Sequence, residues 1–505
     1  MLRKIAHILT CILIIVGIEV HALPNKPESC TYIEQVEIMD NGMINEFQLH
    51  QLQEQYSKRC LSRDDIRKLL GDVASLCIKE GYVMTRVYAD PKKLDDKILK
   101  VHAVSGVVGN SDFISKGAPL NMRDIEQEVD QISRLKGYSA KAIISSGESA
   151  NESDVILQVT PGERLSGAAS IDNHGTKSNG INQGDIFLQT YNALGAYDIL
   201  TFNYRYGFNS SFERMASESA MGGIIIPYGY WDFKLHMSYF DYQRLLPGQY
   251  TDLQYTGSTF NYTFDAERVV HRDQDSKTIV AWSFVLKDSK NFISKSLLTS
   301  SSRKLSILGF KALHMRKIYD GAFSASVGAQ QGTSFFGAEK DISGSAGPKA
   351  QFTKYLADIS YAKYLSVMHQ SFLWDSSLHV QASPDTLYDS EQIGIGGISS
   401  VRGFREAQFL GETGWYVMNN LAYTLPKMGY ENRVGNIQLY LGADYGAIKK
   451  NKFNNLNQRS INGVTVGVRN MGKPLTLEVA YEKPLHKPYN IRTKDLFYFR
   501  VCFYF

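Results

Sequence analysis

Covalent or metal chemistry in this 505-residue chain would have to be built from its 5 cysteines and 11 histidines. The histidines are scattered without metal-ligand spacing. There is no Gly-x-Ser-x-Gly elbow to expose a nucleophile and no Gly-x-x-x-x-Gly-Lys loop to cradle a phosphate. The reading is therefore no enzyme, no metal and no cofactor, with Gly394-Ile395-Gly396-Gly397 taken as a loop and not as a nucleotide site. Thiol pairing is what remains. Cys30 and Cys60 flank a predicted strand and helix in one small domain, where an oxidising compartment permits a disulfide that staples a small core. Cys60 with Cys77 is the competing connectivity. Cys77 shares a helical stripe with Leu69, Leu70 and Val73, which favours a buried free thiol.

The elements that position these residues begin with an export signal. Arg3 and Lys4 precede an apolar run from Ile8 to Val20, and Val20-His21-Ala22 offers a cleavage site, so residues 1–22 read as a secretory signal peptide. The run is well short of the ~20 residues that a spanning helix needs. No later apolar stretch reaches that length, so an exported chain that enters a membrane must cross it with strands.

From Cys30 to Gly106 the pattern is strand, helix, helix, strand, strand. Tyr32–Met39 reads as a strand and Asn45–Tyr56 as a helix, followed by a helix capped by Ser62 with Asp65 and ended by Gly81. Val83–Ala89 and Ile98–Val104 are the closing strands, joined by a turn from Asp90-Pro91 to Asp96. A second, shorter module holds a strand from Val107 to Phe113, a helix from Asn121 to Arg134, a Ser-rich loop between Ser145 and Ser153, and a strand from Val155 to Thr160.

After Arg164 helical stripes give way to runs of about ten alternating residues, the length a tilted membrane strand needs. Trp231, Phe233, Leu235, Met237 and Tyr239 alternate with Asp232, Lys234, His236 and Ser238, after a turn read at Pro227-Tyr228-Gly229-Tyr230. The last strand, Leu496–Phe505, puts Phe497, Phe499, Val501, Phe503 and Phe505 on one face. The charge of Arg500 fixes the other face as the lumen, because an Arg in lipid at mid-bilayer costs ~2–4 kcal/mol. About 16 strands fit the remaining length. The expected fold is thus a transmembrane antiparallel β-barrel over residues 164–505, with Phe499, Val501, Phe503 and Phe505 as its C-terminal signal, preceded by two small α/β modules at 23–106 and 107–163. By the same phase, Ile437, Leu439, Leu441 and Ala443 point outward and Asp444 points into the lumen.

Three segments carry a resemblance to a known family: Leu120-Asn-Met-Arg-Asp-Ile-Glu-Gln127, Gly81-Tyr-Val-Met-Thr-Arg-Val87, and Gly396-Gly397 followed by Val401-Arg402-Gly403-Phe404. The chain resembles the two-partner secretion transporters of the Omp85 superfamily, the hemolysin and filamentous-hemagglutinin secretion proteins. The resemblance implies that the two modules are periplasmic POTRA domains. It also implies that the Val401–Phe404 segment belongs to a long extracellular loop folded back into the lumen, where Arg402 contacts an acidic residue on the wall. Asp444, in phase and in Asp444-Tyr445-Gly446, is the expected partner. A planar guanidinium can hold a carboxylate through two hydrogen bonds, and Gly403 allows close backbone approach.

The implied activity is secretion of an unfolded hemolysin, adhesin or contact-dependent toxin, recognised through the POTRA domains by strand addition to an exposed sheet edge. Implied partners are that exoprotein, outer-membrane lipid and the barrel-assembly machinery during biogenesis, with the transporter itself a monomer. Nucleic acid is not expected, since the net charge is only +4 and no basic run interleaves with aromatics. Family members often carry a plug helix before the first POTRA. Leu23 to Ser29 is too short for one, so none is expected. The closest rival is an outer-membrane assembly insertase of the same superfamily, which would usually carry more POTRA modules; a simple porin would leave the N-terminal 140 residues or so without a role.

Overall fold

The computed structural model describes residues 30–90, 97–176, 180–208, 215–246, 253–342, 344, 347–405, 409–426, 435–449, 460–487 and 493–505. Residues 1–22, read as a signal peptide, the segment 23–29, where no plug is expected, and residues 91–96 of the predicted turn lie outside the described residues. These residues form two compact units, one reaching Met122 and including Ile144–Val155, the other made of Arg123–Ile143 and Ile156–Phe505.

In the first unit the chain runs β1 (Thr31–Ile33), β2 (Gln35–Met39), α1 (Glu46–Tyr56), β3 (Arg59–Leu61), α2 (Arg63–Lys79), β4 (Arg86–Ala89), β5 (Ile98–Val104) and β6 (Val107–Ser111). Both helices start where side-chain oxygens replace missing backbone acceptors. Asn45 Oδ1 accepts from Phe47 N at 2.9 Å, and at α2 Asp65 N donates to Ser62 Oγ at 3.1 Å while Ser62 N donates to Asp65 Oδ2 at 2.9 Å. Their apolar faces cover a sheet in the order β2-β5-β4, burying Leu69, Val73 and Cys77 against Val36, Leu99 and Val101.

Two predicted strands are corrected. The run Tyr32–Met39 breaks at Glu34, because β1 pairs with β3, Tyr32 opposite Cys60, whereas β2 pairs in parallel with β5. The strand predicted from Val83 begins only at Arg86, since Thr85 Oγ1 donates to Tyr82 O at 2.8 Å and holds the preceding residues in a turn. Cys30 and Cys60 are bridged, with Cα atoms 5.4 Å apart. Cys77 is free and fully buried, and burial together with the nearby Asp40 charge pushes its thiol pKa up. A protonated, enclosed thiol is a poor nucleophile. Native protein at neutral pH should therefore leave Cys77 unalkylated by iodoacetamide over hours, with full modification only after denaturation; rapid native labelling would contradict this packing.

The second module comprises β6, α3 (Met122–Ser133), β7 (Ser139–Ser146) and β8 (Glu152–Thr160), with strand order β6-β8-β7. β7 was not legible as a strand, and Ser145, Ser146, Glu152 and Ser153 belong to strands, not to the predicted Ser-rich loop. The strand predicted from Val107 stops at Ser111, and its register with β8 shifts between Val108 and Ser111.

The second unit holds the barrel. Its long strands are β9 (Leu165–Asp172), β10 (Asn182–Tyr191), β11 (Ile199–Phe208), β12 (Met215–Tyr228), β13 (Trp231–Leu246), β14 (Leu253–Arg272), β15 (Ser276–Ile293), β17 (Arg303–Ile318), β18 (Gly321–Thr333), β19 (Thr353–Val367), β20 (Gln370–Ala382), β23 (Gly414–Thr424), β24 (Asn436–Ile448), β25 (Ser460–Met471), β26 (Leu475–His486) and β27 (Leu496–Tyr504). β16 (Ser296–Leu297) is a two-residue addition to β15. Sixteen antiparallel strands close on themselves where β27 pairs with β9, Tyr504 opposite Ala168 and Arg500 opposite Asp172. Closure leaves no unpaired edge in lipid, the condition for crossing a bilayer with strands.

Side-chain phase follows the alternation. On β24, Ile437, Leu439 and Leu441 are exposed outward while Gln438, Tyr440 and Asp444 are buried inside. On β27, Phe497, Phe499, Val501 and Phe503 are exposed, as is Phe505 just beyond it, whereas Tyr498 and Cys502 are buried on the opposite face. Trp231, Trp282 and Phe310 form a run of ring contacts 5.8 and 5.9 Å apart, the kind of aromatic girdle a barrel presents at a membrane interface. The predicted turn at Pro227–Tyr230 shortens to Gly229-Tyr230, because Pro227 and Tyr228 pair with Asp232 and Trp231 as the last rungs of β12 and β13.

Within this unit α3 is tied to two barrel turns. Tyr230 Oη donates to Asp124 at 2.6 Å, Arg134 donates to Asp232 at 2.7 Å, and Gln127 and Gln131 both reach Gly229 O. Arg272 donates to Gln127 Oε1 at 3.0 Å and pairs with Asp130. Hydrogen bonds to charged groups are each worth about 1.5–3 kcal/mol, less where water screens them. Arg272→Glu should loosen α3 by about 1–3 kcal/mol, read as faster amide exchange over residues 123–133, and Asp130→Arg in that background should restore protection. Unchanged exchange in the single variant would remove the clamp from the account.

Candidate functional site

Between β20 and β23 the chain neither ends in a tight turn nor runs straight to the next strand. Asp389–Glu391 forms a short 3-10 turn, and β21 (Ile393–Ile395) pairs with β22 (Phe409–Gly411) as a hairpin, Ile393 opposite Gly411. Apolar residues turn this hairpin toward the wall. Ile395, Val401, Phe404 and Phe409 pack with Ile448 of β24 and Ile461 of β25 in one buried cluster. A turn with Gly397 N donating to Val401 O at 3.1 Å, and Gly396 N donating to Ser400 Oγ at 2.9 Å, then presents Arg402 to β24.

The Arg402 side chain is 8% exposed and that of Asp444 0%. Arg402 Nε donates to Asp444 Oδ2 at 2.6 Å, Nη2 donates to Oδ1 at 2.6 Å, and the Arg402 backbone N–H adds a third bond to Oδ2 at 3.0 Å. The remaining edge of the fork is used as well. Nη1 donates to Asn420 Oδ1 at 2.6 Å and Nη2 to Asn419 O at 3.1 Å, both on β23. A buried pair repays desolvation only with such geometry and with its leftover hydrogens satisfied.

Gly403 continues the contact. Its N–H donates to Glu482 Oε2 on β26 at 2.7 Å, its φ is +93°, and a Cβ there would sit 2.8 Å from the Lys483 carbonyl carbon. Arg405 donates to Asn173 O at 2.8 Å and lies over the Tyr498 ring at 5.2 Å. Thus the loop tip touches β23, β24 and β26, and one side chain reaches β27. Beneath it a cavity of about 130 Å³ is lined by His174, Tyr440, Arg469, Glu478 and Glu482.

Every residue of the expected Val401–Phe404 segment lies at this contact, with Phe404 1% exposed, and Asp444 stands against Arg402. Phe499, Val501, Phe503 and Phe505 lie together on the outer face of β27, and Cys30 and Cys60 belong to the other unit.

Comparison with known proteins bears on what such a barrel is for. A model of the family "Haemolysin secretion/activation protein ShlB/FhaC/HecB" matches residues 151–470, and a ShlB-type POTRA domain model matches 32–106. The chain belongs to this haemolysin secretion/activation family. It is an outer-membrane transporter, not an enzyme, with its POTRA domains in the periplasm. The outer membrane transporter CdiB of Dickeya dadantii (strain 3937) is 29% identical over 452 residues, covering 86% of this chain and 79% of that protein. The hemolysin transporter protein ShlB of Serratia marcescens is 24% identical over 424 residues, covering 81% and 74%. The solved structure of CdiB from Escherichia coli superposes with a TM-score of 0.81 at 24% identity, over 98% of this chain and 93% of that one, which speaks to fold.

In this transporter several contacts of the loop were not foreseen. Asn420 and Glu482 are lumen-facing polar residues on β23 and β26. Glu482 alternates in the sequence with Leu475, Leu477, Val479 and Tyr481 of β26, so the signal was present for it. Gly442 carries none, yet a Cβ there would lie 2.6 Å from Arg402 Cζ. Gly442→Ala should push the guanidinium off Asp444 and reproduce the channel behaviour of an Arg402 variant while the barrel remains assembled. A bilayer conductance trace indistinguishable from the native transporter would contradict that close fit.

Proposed function

We propose that this transporter receives an unfolded exoprotein of the hemolysin or hemagglutinin type in the periplasm through its POTRA domains and passes it through the barrel, with Arg402 and Asp444 as the latch of the inward loop. The observation that carries the reading is the buried Arg402–Asp444 pair inside a closed barrel preceded by POTRA modules. At its tip the loop is held by a polar contact network, which a passing chain can replace with contacts of its own.

The names of the curated relatives, hemolysin transporters among them, support a proteinaceous cargo. The domain bounds in this reading are 23–106 and 107–163 for the POTRA domains and 164–505 for the barrel. Outer-membrane lipid surrounds the barrel, the barrel-assembly machinery inserts it using the face that carries Phe499, Val501, Phe503 and Phe505, and the transporter works as a monomer. With no nucleotide-binding motif in the chain, folding of the exoprotein outside would supply the net pull.

The test is export of a large repetitive exoprotein, sought in the reading frame adjacent to this chain's own gene. Cells with the transporter should release it to the medium, and cells without it should retain it in the periplasm. Equal release from both would overturn the assignment.

A further inference from the structure

The inward loop has a second polar contact, at its root and against a different part of the wall. Glu391, two residues before β21, has a side chain only 1% exposed. Lys287 of β15 donates to its Oε1 at 2.5 Å and Lys354 of β19 to its Oε2 at 2.9 Å. Lys354 is itself 9% exposed at the side chain and lies over the Phe352 ring at 5.5 Å. Gln381, at the end of β20 and 5% exposed, donates to Glu391 O at 2.9 Å and to Glu412 O at 3.3 Å. Those two carbonyls flank β21 and β22, so one amide grips both legs of the hairpin.

Three features set this cluster apart from the Arg402 contact. It draws its partners from β15, β19 and β20, whereas Arg402 and Gly403 use β23, β24 and β26. It shares no residue with them. It also places a buried carboxylate between two ammonium groups, Lys354 at 9% exposed and Lys287 at 26%, and opening it would leave the Glu391 charge buried without a partner.

We infer that Glu391 is a positioning residue that pins the root of the inward loop to the barrel wall, so that release of Arg402 frees the tip while the root stays in place. The inference rests on the loop acting as the movable obstruction of the secretion pore. Lys287, Lys354 and Gln381 are its wall partners. A passing chain would then displace the segment carrying Arg402 without expelling β21 and β22 from the lumen.

The test uses full-length transporter carrying Ser399→Cys, labelled on intact cells with a bulky polyethylene-glycol maleimide too large to enter the pore. Folding is checked in each variant by the heat-modifiable mobility of the barrel. Labelling should stay near background in the otherwise native protein and after Arg402→Ala. It should rise at least fivefold when Arg402→Ala is combined with Glu391→Gln, which removes the charge and keeps the volume. Removing both wall ammonium groups instead, with Lys287→Gln and Lys354→Gln in the Arg402→Ala background, should expose the thiol to the same extent. The proposal is overturned if Arg402→Ala alone exposes the introduced thiol as fully as the combined variant, or if the combined variant, shown to be folded, stays protected. Because labelling needs no exoprotein, a failure here is distinguishable from a failure of the secretion assignment itself.

Discussion

Arg402→Ala is expected to leave a folded barrel in the outer membrane and to lower exoprotein release at least tenfold. The variant strips Asp444, whose side chain is 0% exposed, of its bidentate partner. Removing one member of a buried pair costs about 3–5 kcal/mol, because the other charge stays desolvated. At about 1.4 kcal/mol per decade, that shifts the inward position of the loop tip by two to three and a half decades. Conductance in planar bilayers should change accordingly, toward longer or larger openings. Arg402→Lys should behave like alanine and not like the native residue: an ammonium on a flexible stem does not reproduce the fork that serves Asp444, Asn420 and Asn419 together. Native secretion and native conductance in both variants would remove the latch from the account.

The second large effect concerns the wall. Leu441 is 56% exposed on the outer face of β24, three residues before Asp444 on the inner face. Leu441→Arg should cost ~2–4 kcal/mol if that position meets the bilayer near its midplane, and the heat-modifiable barrel recovered from outer membranes should fall severalfold. Leu441→Phe should assemble normally. An Arg on the inner face is tolerated because it finds partners there: Arg469 Nε donates to Gln438 Oε1 at 2.7 Å and its guanidinium lies over Tyr440 at 5.2 Å. Normal assembly of Leu441→Arg would contradict the assigned phase of the strand and, with it, the direction in which Asp444 points.

That phase was legible in the sequence for a simple physical reason. A barrel strand sees lipid on one side and polar surroundings on the other, so alternation in β24, β26 and β27 is imposed residue by residue. Asp444 could be assigned to the lumen from its neighbours alone. The helices of the first unit were legible because caps and stripes are local, as at Ser62 with Asp65.

What escaped was what depends on partners distant in sequence. The break at Glu34 exists because Tyr32 pairs with Cys60 while Val36 pairs with Leu99, and nothing near Glu34 announces two different partners. β7 escaped because Ser139–Ser146 has weak alternation and gains its strand form from β8. Glu391 escaped for the same reason: its lysines lie 104 and 37 residues away. Gly442 escaped because a missing side chain leaves no pattern; its role is the space it leaves for Arg402.

A polypeptide that crosses through the lumen must pass the inner face of the wall and never its outer face. On β18, Ser326 faces inward, 8% exposed and donating to Asp358 Oδ2 at 3.0 Å, while its neighbour Val327 is 62% exposed on the outer face. A photo-crosslinking amino acid is placed at each position, and the exoprotein is stalled in transit by a stably folded domain fused to its C-terminus. Covalent adducts with the stalled exoprotein are expected from position 326 and none from 327. No adduct at 326, or equal adducts at both, would contradict passage through this barrel.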